Sequence, residues 1–396
     1  HTAIYIYILL LVLLAAAAVV IIAFTLTRGK KENDKRAASR FSKLPEIDSD
    51  MATRKAPEYR IDIALNTFCD DFRNYAAGQM GLYYEPQTIR AFIAGMSVSR
   101  LLTFQGISGT GKTSLAYALG RFLQNDAVMV PVQPSWKDRT DLLGYYNEFT
   151  GNFNETELLS KLYEAEYNDE IYIALLDEMN IARVEYYFAE FLSVLELPDT
   201  RSRTVEIVAD TRPGDPKKFD RGRLHISDNV WFIGTANNDD STLAISDKVY
   251  DRATVIDLDR RAEPFKAPAV RNVKISGSYL RELFAKARQR YSMSGEMRNK
   301  ISKLDVFLVE EFGITFGNRI MRQLEGFIPV YIACGGSETE AVDQMISRKI
   351  LRKLEWQNPV YVRPGAEKLI SYVNELFGDG ALPVCVAYLE KLAKKY

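Results

Sequence analysis

The stretch GISGTGKT, residues 106–113, decides the fold of this chain. It matches the pattern G-x-x-x-x-G-K-[ST] and follows the apolar run 101–104. Its glycines let successive backbone N–H groups point at a phosphate, Lys112 adds a positive charge, and Thr113 offers a hydroxyl to Mg²⁺. A helix predicted over 114–123 would begin with its positive dipole end at the same anion. The stretch therefore predicts a nucleotide-phosphate site, the alternative being a glycine-rich turn without a ligand.

The residues predicted to bind this phosphate are Gly106, Ser108, Gly109, Thr110, Gly111, Lys112, Thr113 and Ser114. Two carboxylates, Asp177 and Glu178, close a later apolar run at 171–176, about 65 residues after Lys112. We expect Asp177 to bind Mg²⁺ together with Thr113, either directly or through water. Glu178 is then placed to polarise the attacking water. The pattern predicts hydrolysis of a bound nucleotide.

A further polar residue, Asn237, follows the apolar run 230–235. Its amide could hydrogen-bond the terminal phosphate or orient the water without adding charge, and the alternative is an asparagine that caps a turn. Runs of strand character are found at 101–104, 127–132, 171–176, 230–235 and 254–258. Arg252 stands just before the last of them. The aromatic loop 133–146 is open to two interpretations, contact with a partner or internal packing.

Composition limits the other function classes. The chain has 396 residues, 47% of them hydrophobic, and a formal net charge of −1, so it has no overall signature of a nucleic-acid binder. Its three cysteines are widely spaced and only two histidines are present, which argues against disulfides and a zinc site. An α/β core with an all-helical C-terminal region is expected, because only helical periodicity is found after about residue 267.

The N-terminal region predicts a membrane anchor. Residues 1–27 contain no Asp, Glu, Lys or Arg, and five basic residues follow within 28–36. About 20 apolar residues span a bilayer as a helix, whereas a cleaved signal peptide needs its positive region before the apolar run. The charge order predicts a single-pass membrane protein with residues 3–27 in contact with lipid and the rest of the chain in the cytoplasm. The charged stretch 28–55 predicts a flexible linker.

The chain resembles AAA+ ATPases, and within them the McrB-type branch related to the MoxR chaperones. The resemblance rests on GISGTGKTS (106–114), LLDEMNIAR (175–183), FIGTANNDDST (232–242) and DKVYDRA (247–253). It implies a P-loop NTPase core over 56–266, with a parallel five-stranded sheet between helices, and a helical lid over 267–396. It further implies that Asn237 is sensor 1, that Arg252 is an arginine finger reaching a neighbouring subunit, and that Arg319 is sensor 2 beside the nucleotide. Arg319 also fits a surface residue at a helix start.

The same resemblance implies a hairpin insertion at 198–227, a further basic position at Arg183, and a homo-oligomeric ring. ATP with Mg²⁺ is the expected nucleotide, and GTP stays open because the McrB branch includes a GTP user that lacks the guanine-reading Asn-Lys-x-Asp motif. Three functions follow: remodelling of a protein partner, driving a separate effector or nuclease subunit, or a nucleotide-dependent switch or scaffold. The residues give no direct evidence for nucleic-acid binding.

Overall fold

The computed structural model describes residues 39–237 and 242–395. These residues form two compact units. One contains the chain up to Arg54 with Tyr145–Glu155 and Glu206–Leu224, and the other contains Lys55–Gly144, Thr156–Val205 and the chain from His225 onward. Every residue predicted for the nucleotide site belongs to the second unit. The domain limits predicted at residues 56 and 267 stay predictions.

Within the described residues, strands and helices are interspersed between residues 101 and 257, with helices before and after that range. The strands are β1 (Leu101–Gly106), β2 (Val128–Pro131), β3 (Gly144–Asn147), β4 (Asn152–Glu155), β5 (Tyr172–Asp177), β6 (Thr204–Glu206), β7 (Phe219–Asp220), β8 (Arg223–His225), β9 (Val230–Asn237) and β10 (Thr254–Asp257). The helices are α1 (Lys43–Thr53), α2 (Leu65–Met80), α3 (Pro86–Val98), α4 (Lys112–Phe122), α5 (Arg139–Leu143), α6 (Glu157–Glu164), α7 (Val184–Tyr187), α8 (Ala189–Val194), α9 (Asp247–Tyr250), α10 (Gly277–Arg290), α11 (Gly295–Phe312), α12 (Gly317–Ala333), α13 (Glu338–Lys349), α14 (Pro359–Phe377) and α15 (Pro383–Lys395).

A five-stranded sheet lies at the centre of the second unit, in the order β10-β1-β9-β5-β2. All of its neighbouring strands are parallel. Every residue of β1 is buried, and since successive side chains on a strand point to opposite faces, both faces of this strand are covered. The five strands fall on the five apolar runs of the sequence. The prediction of an α/β fold with a five-stranded parallel sheet is confirmed.

The register of the sheet sets where the predicted site residues lie. Gly106 lies opposite Asn237, and Pro131 lies opposite Asp177. Because parallel strands end on the same edge, the phosphate loop and both polar strand ends share that edge. The starts of the strands form the other edge, where Leu101 lies opposite Phe232. Six residues of β1 separate the two edges by about 17 Å.

Helices that precede the sheet in the chain and helices of the C-terminal region complete the core of the second unit. Phe92 of α3 packs edge-on against Phe104 of β1 with 4.9 Å between ring centroids, and Phe72 of α2 contacts Phe122 of α4 at 5.5 Å. In the C-terminal region, Ser337 accepts a hydrogen bond from the Glu340 N–H, and the Glu340 carboxylate accepts one from the Ser337 N–H. This capping box begins α13, as the sequence predicts.

The first unit contains helix α1, which falls within the predicted linker 28–55. The Glu155 carboxylate accepts hydrogen bonds from the N–H groups of residues 42–44 at 2.8–3.1 Å, so the start of α1 is capped by a residue distant in sequence. Arg40 is buried and pairs with Asp210 at 2.7 Å and Asp215 at 2.8 Å. Residues 43–53 are therefore helical rather than a flexible linker. Long-range contacts such as those of Glu155 stabilise a helix that their charged composition does not predict.

The predicted membrane localisation is contradicted. Within residues 39–237 and 242–395, no helix is both long enough and apolar enough to cross a bilayer. The longest helix of that part, α14, has 19 residues but includes charged ones such as Arg363 and Lys368, and such charges are costly in hydrocarbon. The predicted span 3–27 lies outside the described residues, as do residues 28–38 of the predicted linker.

Candidate functional site

The loop between β1 and α4 has a backbone that only glycine adopts readily. Gly106, Gly109 and Gly111 have φ values of 144°, 79° and 90°, which L side chains rarely adopt. A Cβ atom at Gly106 would also lie 2.2 Å from the backbone oxygen of Leu258. The glycines of the sequence pattern are thus required by the conformation of the loop and by its close approach to the chain after β10.

Lys112 begins helix α4 beneath this loop. Its side chain is buried, and Nζ donates hydrogen bonds to the carbonyl oxygens of Gly106 at 3.1 Å and Ile107 at 2.7 Å. The ammonium group therefore lies at the mouth of a helix N-terminus that already favours an anion. This combination of cation, helix start and glycine backbone fits the phosphates of a nucleotide.

Asp177 is the centre of the polar network at this edge of the sheet. Its Oδ1 accepts a hydrogen bond from Thr113 Oγ1 at 2.7 Å and one from Thr235 Oγ1 at 2.9 Å. The pair of Thr113 and Asp177 brings a hydroxyl and a carboxylate oxygen together at the phosphate loop. Such oxygens are the ligands that Mg²⁺ prefers, usually completed by substrate phosphates and water. These residues fit a Mg²⁺ ion bound together with a nucleotide.

Glu178 follows Asp177 in a left-handed backbone conformation, with φ of 52°. Its N–H donates to Thr235 Oγ1 at 2.9 Å, while its side chain is exposed. The left-handed conformation of Glu178 turns the chain away from β5 directly after Asp177. A threonine on the neighbouring strand β9 thus holds both the carboxylate of Asp177 and the backbone of Glu178.

Asn237 ends β9 beside Gly106, as the sequence leads us to expect. Its backbone oxygen accepts hydrogen bonds from Asn180 Nδ2 at 3.1 Å and Thr242 Oγ1 at 2.9 Å. Asn180 is buried and also donates to the Leu243 carbonyl at 3.1 Å. These bonds hold the strand end of Asn237 on the same edge as Asp177 and the phosphate loop.

The structure does not bring Arg252 and Arg319 to the phosphate loop. Both guanidinium groups contact Oε2 of Glu196, Arg252 through Nε at 3.2 Å and Arg319 through Nη2 at 3.3 Å. Arg252 precedes β10, so this cluster lies at the opposite edge of the sheet. The sensor 2 role for Arg319 beside the nucleotide of its own subunit gains no support from this geometry.

The turn that carries Arg252 is held by Lys349, the last residue of α13. The Lys349 ammonium is buried and donates to the carbonyl oxygens of Tyr250 at 2.7 Å and Asp251 at 3.4 Å, and to that of Ala253. Three carbonyl oxygens around one ammonium group satisfy the end of helix α9. The position of Arg252 therefore depends on a C-terminal helix.

Sequence reasoning missed three contacts at the site. Thr235 joins Asp177 and Glu178, Tyr84 donates its hydroxyl to the Gly111 carbonyl at 3.0 Å, and Arg261 donates to the Gly109 carbonyl at 2.8 Å. Burial raises the pKa of Tyr84 above its ordinary value, so the hydroxyl stays a donor. Only Thr235 lies in a recognised motif, and nothing local to Tyr84 or Arg261 indicates that they reach the loop.

The aromatic loop 133–146 and the further basic position, Arg183, make contacts with residues near them in the fold. The Trp136 ring contacts Tyr187 at 5.5 Å between centroids, so this part of the loop 133–146 packs internally. Tyr145 is exposed. Arg183 lies over the Tyr186 ring and 4.0 Å from Glu185, at the surface. A role in partner contact for the loop stays a prediction.

Comparison with known proteins relates this chain to a restriction-enzyme subunit. No protein-family model matches the chain. Over 316 residues it is 23% identical to the EcoKMcrB subunit of the type IV methyl-directed restriction enzyme of Escherichia coli strain K12, and the alignment covers 75% of this chain and 61% of that subunit. The chain is similar to McrB. This similarity supports the resemblance to McrB-type AAA+ ATPases, although the chain matches only about three fifths of the relative's length.

A solved structure was also matched. It is a candidate ATPase from Cytophaga hutchinsonii, with a TM-score of 0.49 and 13% identity, and the match covers 88% of this chain and 98% of that one.

Proposed function

We propose that this chain is a Mg²⁺-dependent nucleoside triphosphatase, with ATP as the expected nucleotide and GTP as the alternative. The observation that carries the proposal is the hydrogen-bonded group of Thr113, Asp177, Thr235 and Glu178 at the end of the phosphate loop. The similarity to McrB supports nucleotide hydrolysis in general.

Each residue of this group has a separate task. The glycine loop and Lys112 bind the phosphates, while Thr113 and Asp177 would hold Mg²⁺, which neutralises charge developing on the phosphates. Glu178 accepts a proton from the attacking water, and its fixed backbone aims the carboxylate. Asn237 lies at the same edge, where its amide can orient that water.

Two substitutions test the assignment. Lys112→Ala is expected to abolish nucleotide binding. Glu178→Gln is expected to preserve binding and to lower kcat by about 10²- to 10⁴-fold, because it removes the base and leaves the phosphate loop intact. The matched control is Glu367→Gln, on the exposed face of α14, which should hydrolyse nucleotide normally. Near-normal turnover of purified Glu178→Gln protein would overturn the proposal.

We further propose that subunits assemble into a ring in which Arg252 acts on the nucleotide of a neighbouring subunit. Its place at the edge opposite the phosphate loop supports action on another copy. Arg252→Ala should then suppress hydrolysis by about 10³-fold or more while sparing binding. Mixing Arg252→Ala with Lys112→Ala subunits should restore part of the activity. A mixture that co-assembles but recovers no activity would count against action between subunits.

The partner of this activity is proposed to be a separate effector subunit, with remodelling of another protein as the broader possibility. The similarity to a restriction-enzyme subunit favours the first. Native affinity purification followed by turnover assays with and without the recovered protein tests it. Stimulated turnover supports a motor, whereas assembly that depends on nucleotide without stimulated turnover supports a switch or scaffold.

A further inference from the structure

A cavity of about 670 Å³ opens at the sheet edge opposite the phosphate loop. The segment 96–101 that leads into β1 forms one wall, and the ends of α8 and α12 form others. Within the described residues, Glu196 is the one carboxylate in its lining. The arginines that line the cavity are Arg100, Arg203, Arg252, Arg288, Arg319 and Arg322.

Four of these arginines share two carboxylates. Arg252 and Arg319 both contact Oε2 of Glu196, at 3.2 and 3.3 Å. Arg203 and Arg100 both contact Oδ1 of Asp228, at 2.9 and 3.8 Å. Each pair of guanidinium groups therefore converges on a single oxygen atom. These four guanidinium groups carry twice the charge of the two carboxylates that they contact.

Several other guanidinium nitrogen atoms of the cavity have no carboxylate partner among the described residues. In the part of the chain that the structure describes, Arg100 Nη1 is buried without a hydrogen-bond partner, and Arg322 makes no ion pair. Among residues 39–237 and 242–395, Arg288 donates only to the carbonyl oxygens of Ser97 and Gly326. Burial, together with the neighbouring Arg203 and Arg281, lowers the pKa of Arg100 to about 9 in spite of Asp228. The cavity thus concentrates like charges that repel unless an anion joins them.

The number and shape of the donors in the cavity indicate which anion fits it. Guanidinium groups bind phosphate oxygens in pairs, through parallel N–H donors. A polyphosphate places several negative charges within a few ångströms, whereas peptide carboxylates are separated by their side chains and backbone. The volume also falls in the ordinary range for a small-molecule site.

We propose that this cavity binds a polyphosphate, with Glu196 as the internal anion that competes for Arg252 and Arg319. The bound phosphate oxygens take the place of the Glu196 carboxylate on the two guanidinium groups. The ligand is a free nucleotide or an inorganic polyphosphate. The site is separate from the phosphate loop and does not need hydrolysis there.

The test uses Lys112→Ala protein, so that the phosphate loop is silent. Tripolyphosphate is titrated calorimetrically at a protein concentration where light scattering shows monomers. A second arm mixes the Lys112→Ala protein with ATP-loaded unmodified chain and measures co-assembly. Binding in the first arm supports the proposal. Nucleotide-dependent co-assembly that needs the cavity arginines, without binding in the first arm, assigns these arginines to contact with a second copy and overturns it.

The cavity variants are chosen to leave folding intact. Arg322 is exposed and makes no ion pair among the described residues, so Arg322→Gln should fold normally and weaken binding by about threefold or more. Glu196→Gln should tighten binding by about tenfold, because it removes the competing charge. Arg201→Gln, exposed and outside the cavity, is the matched control and should bind as the parent does.

Three outcomes would overturn the proposal. The first is the absence of tripolyphosphate binding by the Lys112→Ala protein. The second is binding that responds equally to Arg201→Gln and Arg322→Gln, which would indicate general charge attraction. The third is a poly-glutamate peptide that binds more tightly than tripolyphosphate, which would assign the cavity to an acidic protein segment instead. All three leave the hydrolysis assignment untouched, because Lys112 and Glu178 are tested separately.

Discussion

Replacing Thr235 by valine tests whether one hydroxyl organises the proposed hydrolytic group. Thr235 is buried in β9, and its Oγ1 accepts from the Glu178 N–H and donates to Asp177 Oδ1, both at 2.9 Å. Valine has nearly the same shape but offers neither a donor nor an acceptor. The change therefore removes two hydrogen bonds while leaving the phosphate loop and both carboxylates in the chain.

The size of the effect follows from those two bonds. A hydrogen bond to a charged group contributes about 1.5–3 kcal/mol, and leaving a backbone N–H without a partner costs about 1–3 kcal/mol. Asp177 keeps its bond from Thr113, so part of the loss is recovered by relaxation. We expect the free energy of unfolding to fall by about 2–4 kcal/mol. We also expect kcat to fall by about 10- to 100-fold, because Glu178 loses the anchor of its left-handed backbone.

Chemical denaturation and steady-state hydrolysis with Mg²⁺ and ATP measure the two effects. KM should change by less than about threefold, since the phosphate contacts are intact. Thr103→Val is the matched control: Thr103 is buried in β1, and within the described residues its hydroxyl has no hydrogen-bond partner. Its loss should be neutral or stabilising. If Thr235→Val lost no more stability or activity than Thr103→Val, the organising role of Thr235 would be refuted.

Three further substitutions probe other parts of the structure. Gly106→Ala should lower stability by about 2 kcal/mol or more and weaken nucleotide binding, because its Cβ would overlap a backbone oxygen; unchanged thermal unfolding and titration would contradict this. Glu166 raises the pKa of His225 above 6.5, so the stabilisation from this ion pair is present at acidic pH and is lost as pH rises through the raised pKa. His225→Gln should therefore flatten the fall in unfolding free energy above pH 6.5. An unaltered pH profile would exclude a contribution of the Glu166–His225 pair. Asp343 accepts two N–H groups at the start of α15 at 2.8 Å, so Asp343→Ala should cost about 2–4 kcal/mol and Asp343→Asn clearly less; equal losses in denaturation would show that the capping bonds are not the cause.

The sequence predicted the parts of the site that have local signatures. The glycine pattern predicted the conformation of the phosphate loop. The apolar run before Asp177 predicted a strand that ends at this loop. Parallel strands then placed Asn237 beside Gly106 and brought Asp177, at the end of β5, to the same edge of the sheet. These predictions succeeded because strand length, strand ends and glycine conformations are properties of short segments.

Other features depend on contacts between distant segments, which the sequence pattern does not record. Arg319 begins α12 as expected, but the side chain meets Glu196 rather than the phosphate loop. Tyr84 reaches Gly111 from a segment 27 residues earlier in the chain, where no local pattern indicates the contact. Helix α1 exists in a charged stretch because Glu155 caps it. In each case tertiary packing overrides local composition.

The ammonium group of Lys349 links the C-terminal helix α13 to the turn that carries Arg252. It ties the end of α13 to the carbonyl oxygens on either side of that arginine. A rotation of α13 would either drag this turn with it or leave a buried charge without acceptors, and the second course is far more costly. Any movement of α13 during a nucleotide cycle would therefore change how far Arg252 extends from the surface. Lys349 would thus couple the position of α13 to the position of Arg252.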